Sequence, residues 1–325
     1  MNTNDTYLIY AGGTFGSHGV PLSPLDSAVF LPVLVDRLGQ YDPNHLIKIL
    51  PNNIIKDSST LTPSDFVGLY DIILQAYQAG GRKFVLITGT DTLSFLSAFL
   101  ANAFAALTDI SLIITGSMQP LLEPASATYA INLDSDAWQN LTDALTASKH
   151  HTGVFVQFAS KTFHAHDTQK IDSQANDAFV GTPVQENVHT KAIAAKLPVQ
   201  ALLSNANHSL IKTIYCLPNI PQILADELNH LHSDTKAVIL IGFGAGNVPS
   251  SPALIEALKQ LHAKNIPIIC TTMCAFGGVN GDYQAGAWQY EYGVWSAAQL
   301  GIPAIYGRAL WLIINDAMKL ENWNV

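Results

Sequence analysis

The sequence has few cysteines, no long apolar run and no visible leader segment. Its three cysteines, Cys216, Cys270 and Cys274, lack CxxC spacing, which argues against a disulfide framework and against a zinc site. Polar residues or glycines interrupt each apolar stretch before it is long enough to span a bilayer. The polar start, Met1 to Asp5, leads straight into a strand pattern, so we expect a cytoplasmic protein without a secretory signal.

Basic residues are also scarce. The chain has 16 Lys and Arg against 25 Asp and Glu, a formal net charge of −9, and its cations are scattered singly. Because a surface that follows nucleic-acid phosphates needs clustered cations, a nucleic-acid partner is not expected. A membrane partner is not expected either, because each apolar stretch is interrupted.

Short apolar runs alternate with helical patterns from residue 7 to about 160. In a chain of 325 residues this predicts a mostly parallel sheet flanked by helices on both faces. The predicted strands are Thr6–Tyr10, His45–Ile49, Lys83–Thr88, Ser111–Thr115 and Gly153–Phe158. The predicted helices are Ser64–Ala79, Leu93–Leu107 and Ile131–Ala147.

The alternation stops over residues 159–212, which are rich in polar side chains and are typical of active-site loops, hairpins and linkers. It then resumes with predicted strands at Thr213–Leu217, Lys236–Gly242 and Ile266–Thr272, and a last helix around Ala304–Leu320. The sequence therefore predicts an α/β protein in three parts. These are a larger N-terminal domain over residues 1–190, a linker over residues 191–212 and a smaller C-terminal α/β domain over residues 213–325.

Two threonine segments, AGGTFG at Ala11–Gly16 and TGTDTLS at Thr88–Ser94, each follow a predicted strand. Open α/β sheets bind ligands at the carboxyl ends of their strands, and glycines let the backbone approach a substrate closely. If the two strands are neighbours, Thr14 and Thr90 converge. A threonine hydroxyl becomes a nucleophile when a base removes its proton, and Asp91 with a nearby lysine would form a proton relay. Each segment alone is usually structural; the pair leaves catalysis and a structural role equally open on the residues alone.

Further segments strengthen the pattern: Asp57-Ser58-Ser59 before Leu61-Thr62-Pro63, Ile114–Pro120, Lys170 nine residues before Phe179, and Gly244–Asn247. Together with the two threonine segments they resemble the motifs of the bacterial type I and type II L-asparaginases, and they are closer to the cytoplasmic type I branch. The resemblance covers residue 7 to about residue 250. It implies a two-domain amidohydrolase that converts L-asparagine to L-aspartate and ammonia through a covalent acyl-enzyme.

The resemblance also implies a role for each matching residue. Thr14 would attack the side-chain amide, and Thr90, Asp91 and Lys170 would relay protons. Lys161 is the rival for the lysine role, and its spacing fits less well. The residues implied to bind substrate are Ser58, Ser59, Gly89, Ser117 and Asn247. The Asn247 loop would close a neighbouring subunit's site, which implies a homodimer or homotetramer. No metal or organic cofactor is required.

The sequence departs from the family pattern in the mobile lid after the nucleophile. The family places a tyrosine there, and no tyrosine lies between Phe15 and Tyr41. His18 is a substitute base to consider because imidazole exchanges protons near neutral pH. A solvent-exposed lid histidine is the simpler interpretation.

Other functions remain open at this stage. The missing tyrosine motivates a non-catalytic or weakly active asparagine-binding or regulatory protein on the same fold. A tRNA-dependent amidotransferase subunit would carry an extra N-terminal domain, whereas the first strand here begins by residue 6. A dinucleotide-binding oxidoreductase is disfavoured because neither glycine loop reads GxGxxG.

Overall fold

The computed structural model describes residues 1–188 and 191–323 of the chain and divides it into two compact units. The first unit holds residues 1–188 and 192–194, and the second holds residues 191 and 195–323. The boundary predicted at residue 190 lies outside the described residues. The segment predicted as a linker contains a helix, Val199–Ala206, and the start of a strand.

The first unit is built on short strands and four α-helices. The strands are β1 (Thr6–Tyr10), β2 (Ser17–His18), β3 (Ser23–Pro24), β4 (Ile47–Ile49), β5 (Lys83–Ile87), β6 (Ser111–Thr115), β7 (Gly153–Phe158), β8 (Lys161–His164), β9 (Gln169–Lys170) and β10 (Phe179–Val180). The helices are α1 (Ser27–Tyr41), α2 (Pro63–Gln78), α3 (Leu93–Phe104) and α4 (Ala137–His150).

The main sheet has six strands in the order β4-β1-β5-β6-β7-β8. All neighbouring pairs are parallel except β7 and β8. Every residue of β1 and of β6 is buried. Because successive side chains of a strand point to opposite faces, burial of a whole strand means that both faces are covered. The predicted parallel sheet flanked by helices is confirmed.

Local sequence explains where the helices of this unit begin. Thr62 and Asp65 form a reciprocal capping box at the start of α2, and Pro63 occupies its first turn. The side chain of Asp26 caps α1, a helix that the sequence interpretation does not include. One helix prediction is wrong at its start, since α4 begins at Ala137 rather than at residue 131.

The second unit repeats the α/β alternation on a smaller scale. Its four-stranded sheet is parallel throughout, in the order β11-β12-β13-β14. The strands are β11 (Leu210–Tyr215), β12 (Thr235–Gly242), β13 (Ile268–Thr272) and β14 (Trp295–Ser296). The helices are α5 (Val199–Ala206), α6 (Pro221–Asn229), α7 (Pro252–Ala263), α8 (Gln284–Ala287), α9 (Ile302–Ile314) and α10 (Leu320–Trp323). The predicted smaller α/β domain is confirmed as a fold.

Within the described part of the chain, no helix is both long enough and apolar enough to cross a membrane.

Candidate active site

The first glycine loop leaves β1 and leads directly into Thr14. Gly12 and Gly13 have φ angles of +92° and +85°, a region that L side chains rarely adopt. A Cβ atom on Gly12 would lie 2.3 Å from the carbonyl oxygen of Lys56. Thr14 then begins a short 3₁₀ helix, Thr14–Gly16. Glycine is therefore required here both by backbone conformation and by close packing.

The second glycine loop follows β5, the parallel neighbour of β1. The two loops touch backbone to backbone, since a Cβ atom on Gly13 would lie 2.2 Å from Gly89 Cα. A Cβ atom on Gly89 would lie 2.4 Å from the Ser58 hydroxyl oxygen. The structure thus brings together the segments that carry Thr14, Thr90 and Ser58. The hydroxyl of Thr14 hydrogen-bonds no other residue within 1–188 or 191–323.

Lys170 joins this group from a separate two-stranded ribbon. It lies on β9, where it pairs with Phe179 of the antiparallel strand β10. Its ammonium donates to the Thr90 hydroxyl at 2.8 Å and lies 3.2 Å from a carboxylate oxygen of Asp91. The Lys170 side chain is 20% exposed, and its backbone N–H donates to the Ser94 hydroxyl at 3.1 Å. Thr90, Asp91 and Lys170 therefore form one connected polar cluster.

The rival lysine lies in a different environment. Lys161 pairs with Asp177 at 2.5 Å, and both side chains are more than half exposed. An exposed pair of this kind contributes little to stability. Among the described residues, the Lys161 ammonium is hydrogen-bonded to Asp177 and not to a residue of either glycine loop.

Ser58 and Ser59 occupy a 3₁₀ turn, Ser58–Thr60, that is held from two sides. Asp57 accepts the backbone N–H of Ser59 at 2.9 Å and its hydroxyl at 2.8 Å. The hydroxyl of Thr92 donates to the Ser58 carbonyl oxygen at 2.8 Å. Ser58 is buried and Ser59 is exposed, so the two serines present their hydroxyls in different surroundings.

Ser117 lies in the turn after β6, the next strand along the sheet. Its side chain is 1% exposed, and its hydroxyl has no hydrogen-bond partner among the described residues. Its neighbour Gly116 packs so closely that a Cβ atom there would lie 2.3 Å from the Thr88 carbonyl oxygen. The Ser117 turn is therefore in direct backbone contact with the second glycine loop.

Sequence reasoning missed two residues that hold this turn, Asp136 and Asn140. Asp136 accepts the backbone N–H groups of Met118 and Gln119, each at 2.9 Å. Asn140 donates to the Gly116 carbonyl oxygen at 3.1 Å. The sequence signal that could have found them is weak: two polar residues, four positions apart, at the start of a helix.

The lid after Thr14 is a short hairpin in which β2 pairs with β3. The Nε2–H of His18 donates to the Ser126 carbonyl oxygen at 2.9 Å, and its ring lies 5.0 Å from the Tyr129 ring, centroid to centroid. The backbone N–H of Gly19 donates to the Pro124 carbonyl oxygen at 2.9 Å. The hairpin is thus attached to the loop that follows β6, and His18 makes part of that attachment.

Asn247 lies in the second unit, in a turn after β12. Its backbone N–H and carbonyl oxygen both bond to Phe243, and Gly246 has a φ angle of +93°. The contact with a neighbouring subunit's site that the sequence predicts for this loop stays a prediction.

No group of three or more His, Cys, Asp or Glu side chains among the described residues is arranged to hold a metal ion. His164 and Asp167 each engage the surrounding chain: His164 donates to the Glu186 carbonyl oxygen, and Asp167 accepts from Thr182.

Family comparison now defines the class of protein. A family model described as "Asparaginase, N-terminal" matches residues 6–200, and one described as "Glutaminase/Asparaginase C-terminal domain" matches residues 211–317. The chain belongs to the asparaginase family, as its motifs predicted.

Particular relatives support the same assignment. L-asparaginase 1 of Escherichia coli K12 is 26% identical over 97% of this chain and 94% of its own length. The L-asparaginase of Thermococcus kodakarensis is 26% identical over 79% of this chain and 77% of its own. A solved structure of a thermostable L-asparaginase from Thermococcus kodakarensis superposes with a TM-score of 0.72 at 25% identity, covering 99% of this chain and 95% of that one. A glutamyl-tRNA(Gln) amidotransferase component from Methanobrevibacter smithii is also similar, 25% identical over 87% of this chain and 66% of its own length.

Proposed function

We propose that the protein hydrolyses L-asparagine to L-aspartate and ammonia, with Thr14 as the nucleophile. The observation that carries the proposal is the contact of the Lys170 ammonium with the Thr90 hydroxyl at 2.8 Å and with Asp91 at 3.2 Å. Thr90 and Asp91 lie on the glycine loop whose Gly89 touches Gly13 in the loop of Thr14. A nucleophile, an acid–base relay and closely approaching backbone are the parts that amide hydrolysis needs.

In the proposed reaction, the Thr14 hydroxyl oxygen attacks the side-chain amide carbon of asparagine as its proton passes to the enzyme. The resulting tetrahedral centre collapses by breaking the carbon–nitrogen bond, and the nitrogen leaves as ammonia after it accepts a proton. Thr14 then carries an aspartyl ester. A water molecule attacks that ester, aspartate departs, and the threonine hydroxyl regains its proton. The reaction as proposed needs neither a metal nor an organic cofactor.

The hydrogen bonds of the Thr90–Lys170 pair run in the direction that a proton relay needs. The hydroxyl of Thr90 accepts a hydrogen bond from the ammonium, so its own hydrogen remains available for donation to a substrate or a water. The Asp91 carboxylate beside the same ammonium balances its charge. We assign Thr90 and Lys170 to proton transfer and Asp91 to the substrate's α-amino group.

The substrate's remaining polar groups would bind to side chains around the two loops. We assign its α-carboxylate to Ser58, with support from Ser59, because hydroxyl donors suit a carboxylate. Gly89 and the unpartnered hydroxyl of Ser117 complete the set among the described residues of this unit. Asn247 of a neighbouring subunit is the proposed contribution of a homodimer or homotetramer. The cytoplasm is the proposed compartment.

Ammonia release by the purified protein tests the proposal, with L-asparagine, L-glutamine and D-asparagine as substrates. We expect release with L-asparagine, no release from Thr14→Ala and a severe loss in Thr90→Val. Thr146→Ala is the matched control because its hydroxyl bonds only within the exposed surface of α4. Hydroxylamine should trap an aspartyl hydroxamate from the wild type and none from Thr14→Ala.

Ligand-induced thermal stabilisation separates the proposal from its rival. Stabilisation by asparagine without ammonia release would identify a binding or regulatory protein. If asparagine neither stabilises the protein nor is hydrolysed with release of ammonia, asparagine is not its ligand.

A further inference from the structure

We propose that Asp136 and Asn140 are positioning residues that hold the Ser117 turn in the geometry the substrate requires. The inference rests on the proposed function, because it concerns the same site. Neither side chain is assigned a contact with the substrate. Their role is to fix three consecutive peptide groups, from Gly116 to Gln119, at the carboxyl end of β6.

The Asp136 carboxylate accepts two backbone N–H groups of this turn and no backbone N–H of its own helix. It precedes α4 at the N-cap position, where an aspartate usually accepts a backbone N–H of the first helical turn, yet it makes no such cap. Instead one oxygen accepts the N–H of Met118 and the other accepts the N–H of Gln119, each at 2.9 Å. Hydrogen bonds to an ionised acceptor are about twice as strong as neutral ones, so these two orient the turn firmly.

Asn140 holds the same turn and also joins it to a second strand; we call Asp136 and Asn140 together the clamp. It lies four residues after Asp136 on α4 and is 1% exposed. Its amide nitrogen donates to the Gly116 carbonyl oxygen at 3.1 Å and to Asp136 at 3.0 Å, and its amide oxygen accepts the N–H of Ala159 at 3.0 Å. Gly116 follows β6 and Ala159 follows β7, so one buried amide joins the ends of two neighbouring strands.

Asp136 and Asn140 are needed to hold the turn because it buries the hydroxyl of Ser117, which is unfavourable. The Ser117 hydroxyl is buried without a partner among the described residues, and a buried hydroxyl without a hydrogen bond is unfavourable. A free turn would relieve that cost by rotating the hydroxyl toward solvent. The four hydrogen bonds from Asp136 and Asn140 to this turn and its neighbour oppose such a movement, which keeps the hydroxyl available for a substrate.

The position of the turn is transmitted directly to the proposed catalytic loop. Gly116 packs on the Thr88 carbonyl oxygen so closely that no Cβ fits between them. Thr88 precedes Gly89 and Thr90, so a shift of the turn displaces the loop that carries Thr90. Asp136 therefore acts on the site through two layers of backbone contact.

Asp136→Asn tests the inference, because it replaces one of the two acceptor oxygens with an NH₂ group, which cannot accept a backbone N–H. Asp134→Asn is the matched control, since Asp134 is exposed and lies two residues earlier. We expect hydrogen exchange of the Met118 and Gln119 amides to become at least about tenfold faster in Asp136→Asn only. We also expect kcat/KM for asparagine to fall roughly 10- to 100-fold in the same variant, by analogy with the loss of residues that orient a ligand.

Asn140→Asp provides a second variant with a distinct signature. It places a carboxylate about 3 Å from that of Asp136. Two carboxylates this close repel each other when both are ionised, and the repulsion is relieved at lower pH, where they share a proton. We expect its relative activity to recover as the pH falls from 8 to about 5. Asn315→Asp is the control, since Asn315 is also buried and also bonds two backbone groups, in the other unit.

Unchanged amide exchange in Asp136→Asn would overturn the clamp, and faster exchange with unchanged kcat/KM would overturn its positioning role. A pH profile of Asn140→Asp that matches the wild type would also count against the inference. If the wild-type protein releases no ammonia from asparagine, the proposed function fails. The exchange measurement then still decides whether Asp136 holds the turn.

Discussion

The ammonium of Lys170 lies 2.8 Å from the hydroxyl of Thr90, although 80 positions of sequence separate them. The two residues come from different elements, since Thr90 follows a strand of the main sheet and Lys170 lies on a separate ribbon. Their contact makes the lysine the natural partner of the second threonine. Lys161 forms an exposed pair with Asp177 instead.

Replacing the two lysines separately should give opposite results. Lys170→Met removes the cation that contacts Thr90, and we expect turnover of asparagine to slow by roughly 10²- to 10⁴-fold, the usual contribution of an acid–base group. Lys161→Met breaks only an exposed ion pair and should leave turnover within about twofold. Steady-state ammonia release measures both, and a larger loss in Lys161→Met would exchange the roles of the two lysines.

Gly13→Ala should destabilise the fold as well as abolish activity. The new Cβ would lie 2.2 Å from Gly89 Cα at a φ of +85°, so we expect the free energy of unfolding to fall by at least about 2 kcal/mol. Gly39→Ala is the control, because it lies within α1 with open space around it and should stabilise by about 0.5–1 kcal/mol. Urea unfolding measures both; equal effects would contradict the close loop contact.

His18→Ala should retain catalysis and lose stability. The His18 ring donates through Nε2 to Ser126 and packs on Tyr129, which is a structural role in the lid hairpin. We expect turnover within about tenfold of the wild-type rate and a loss of about 1 kcal/mol in stability. The exposed His150 provides the control substitution, His150→Ala. If the folded His18→Ala protein instead turns over at least about a hundredfold more slowly, His18 is a base.

The stability contributed by Asp65 should disappear in acid. Burial acts to raise the pKa of this carboxyl, but hydrogen bonds from Lys56 and Thr62 hold the pKa below its ordinary value of 3.8. A lowered pKa in the folded state means that the carboxylate stabilises the fold above pH 3.8. This contribution is lost as the pH falls through the folded-state pKa.

Asp65→Asn should therefore be less stable than the wild type by about 1 kcal/mol near pH 7, the usual value of a helix cap. The gap should close as the pH drops below 3.8. Asp71→Asn, in the same helix, is the control, since Asp71 accepts a hydrogen bond from the exposed side chain of Gln75. Urea unfolding across a pH series measures the gap, and a gap that is constant with pH would contradict the lowered pKa.

Much of the main sheet was predictable because its strands are continuous apolar runs. The predicted bounds of β1, β6 and β7 agree with the structure residue for residue. The helix α1 was missed because its sequence mixes exposed apolar residues, such as Val35, with an internal Pro32. These features weaken the local pattern, and the helix is stabilised by packing of Phe30 and Leu34 in the core.

The site was predictable to the extent that it follows strand ends. The neighbouring β1 and β5 bring the two glycine loops into contact, as the motif pattern required. Asp136 and Asn140 could not be found in this way, because their partners are backbone groups that any sequence supplies. Their bonds depend on where α4 begins, and the predicted start at residue 131 differs from the observed start at Ala137.

Lys170 is attached to the molecule through a ribbon of two short strands rather than through the six-stranded sheet. The residues between those strands, 171–178, can therefore vary in length and composition without disturbing any hydrogen bond of the main sheet. Such variation would alter the reach of the lysine and leave the scaffold intact. If Lys170 transfers protons as proposed, the residues between the two short strands are where its position can be changed without changing the main sheet.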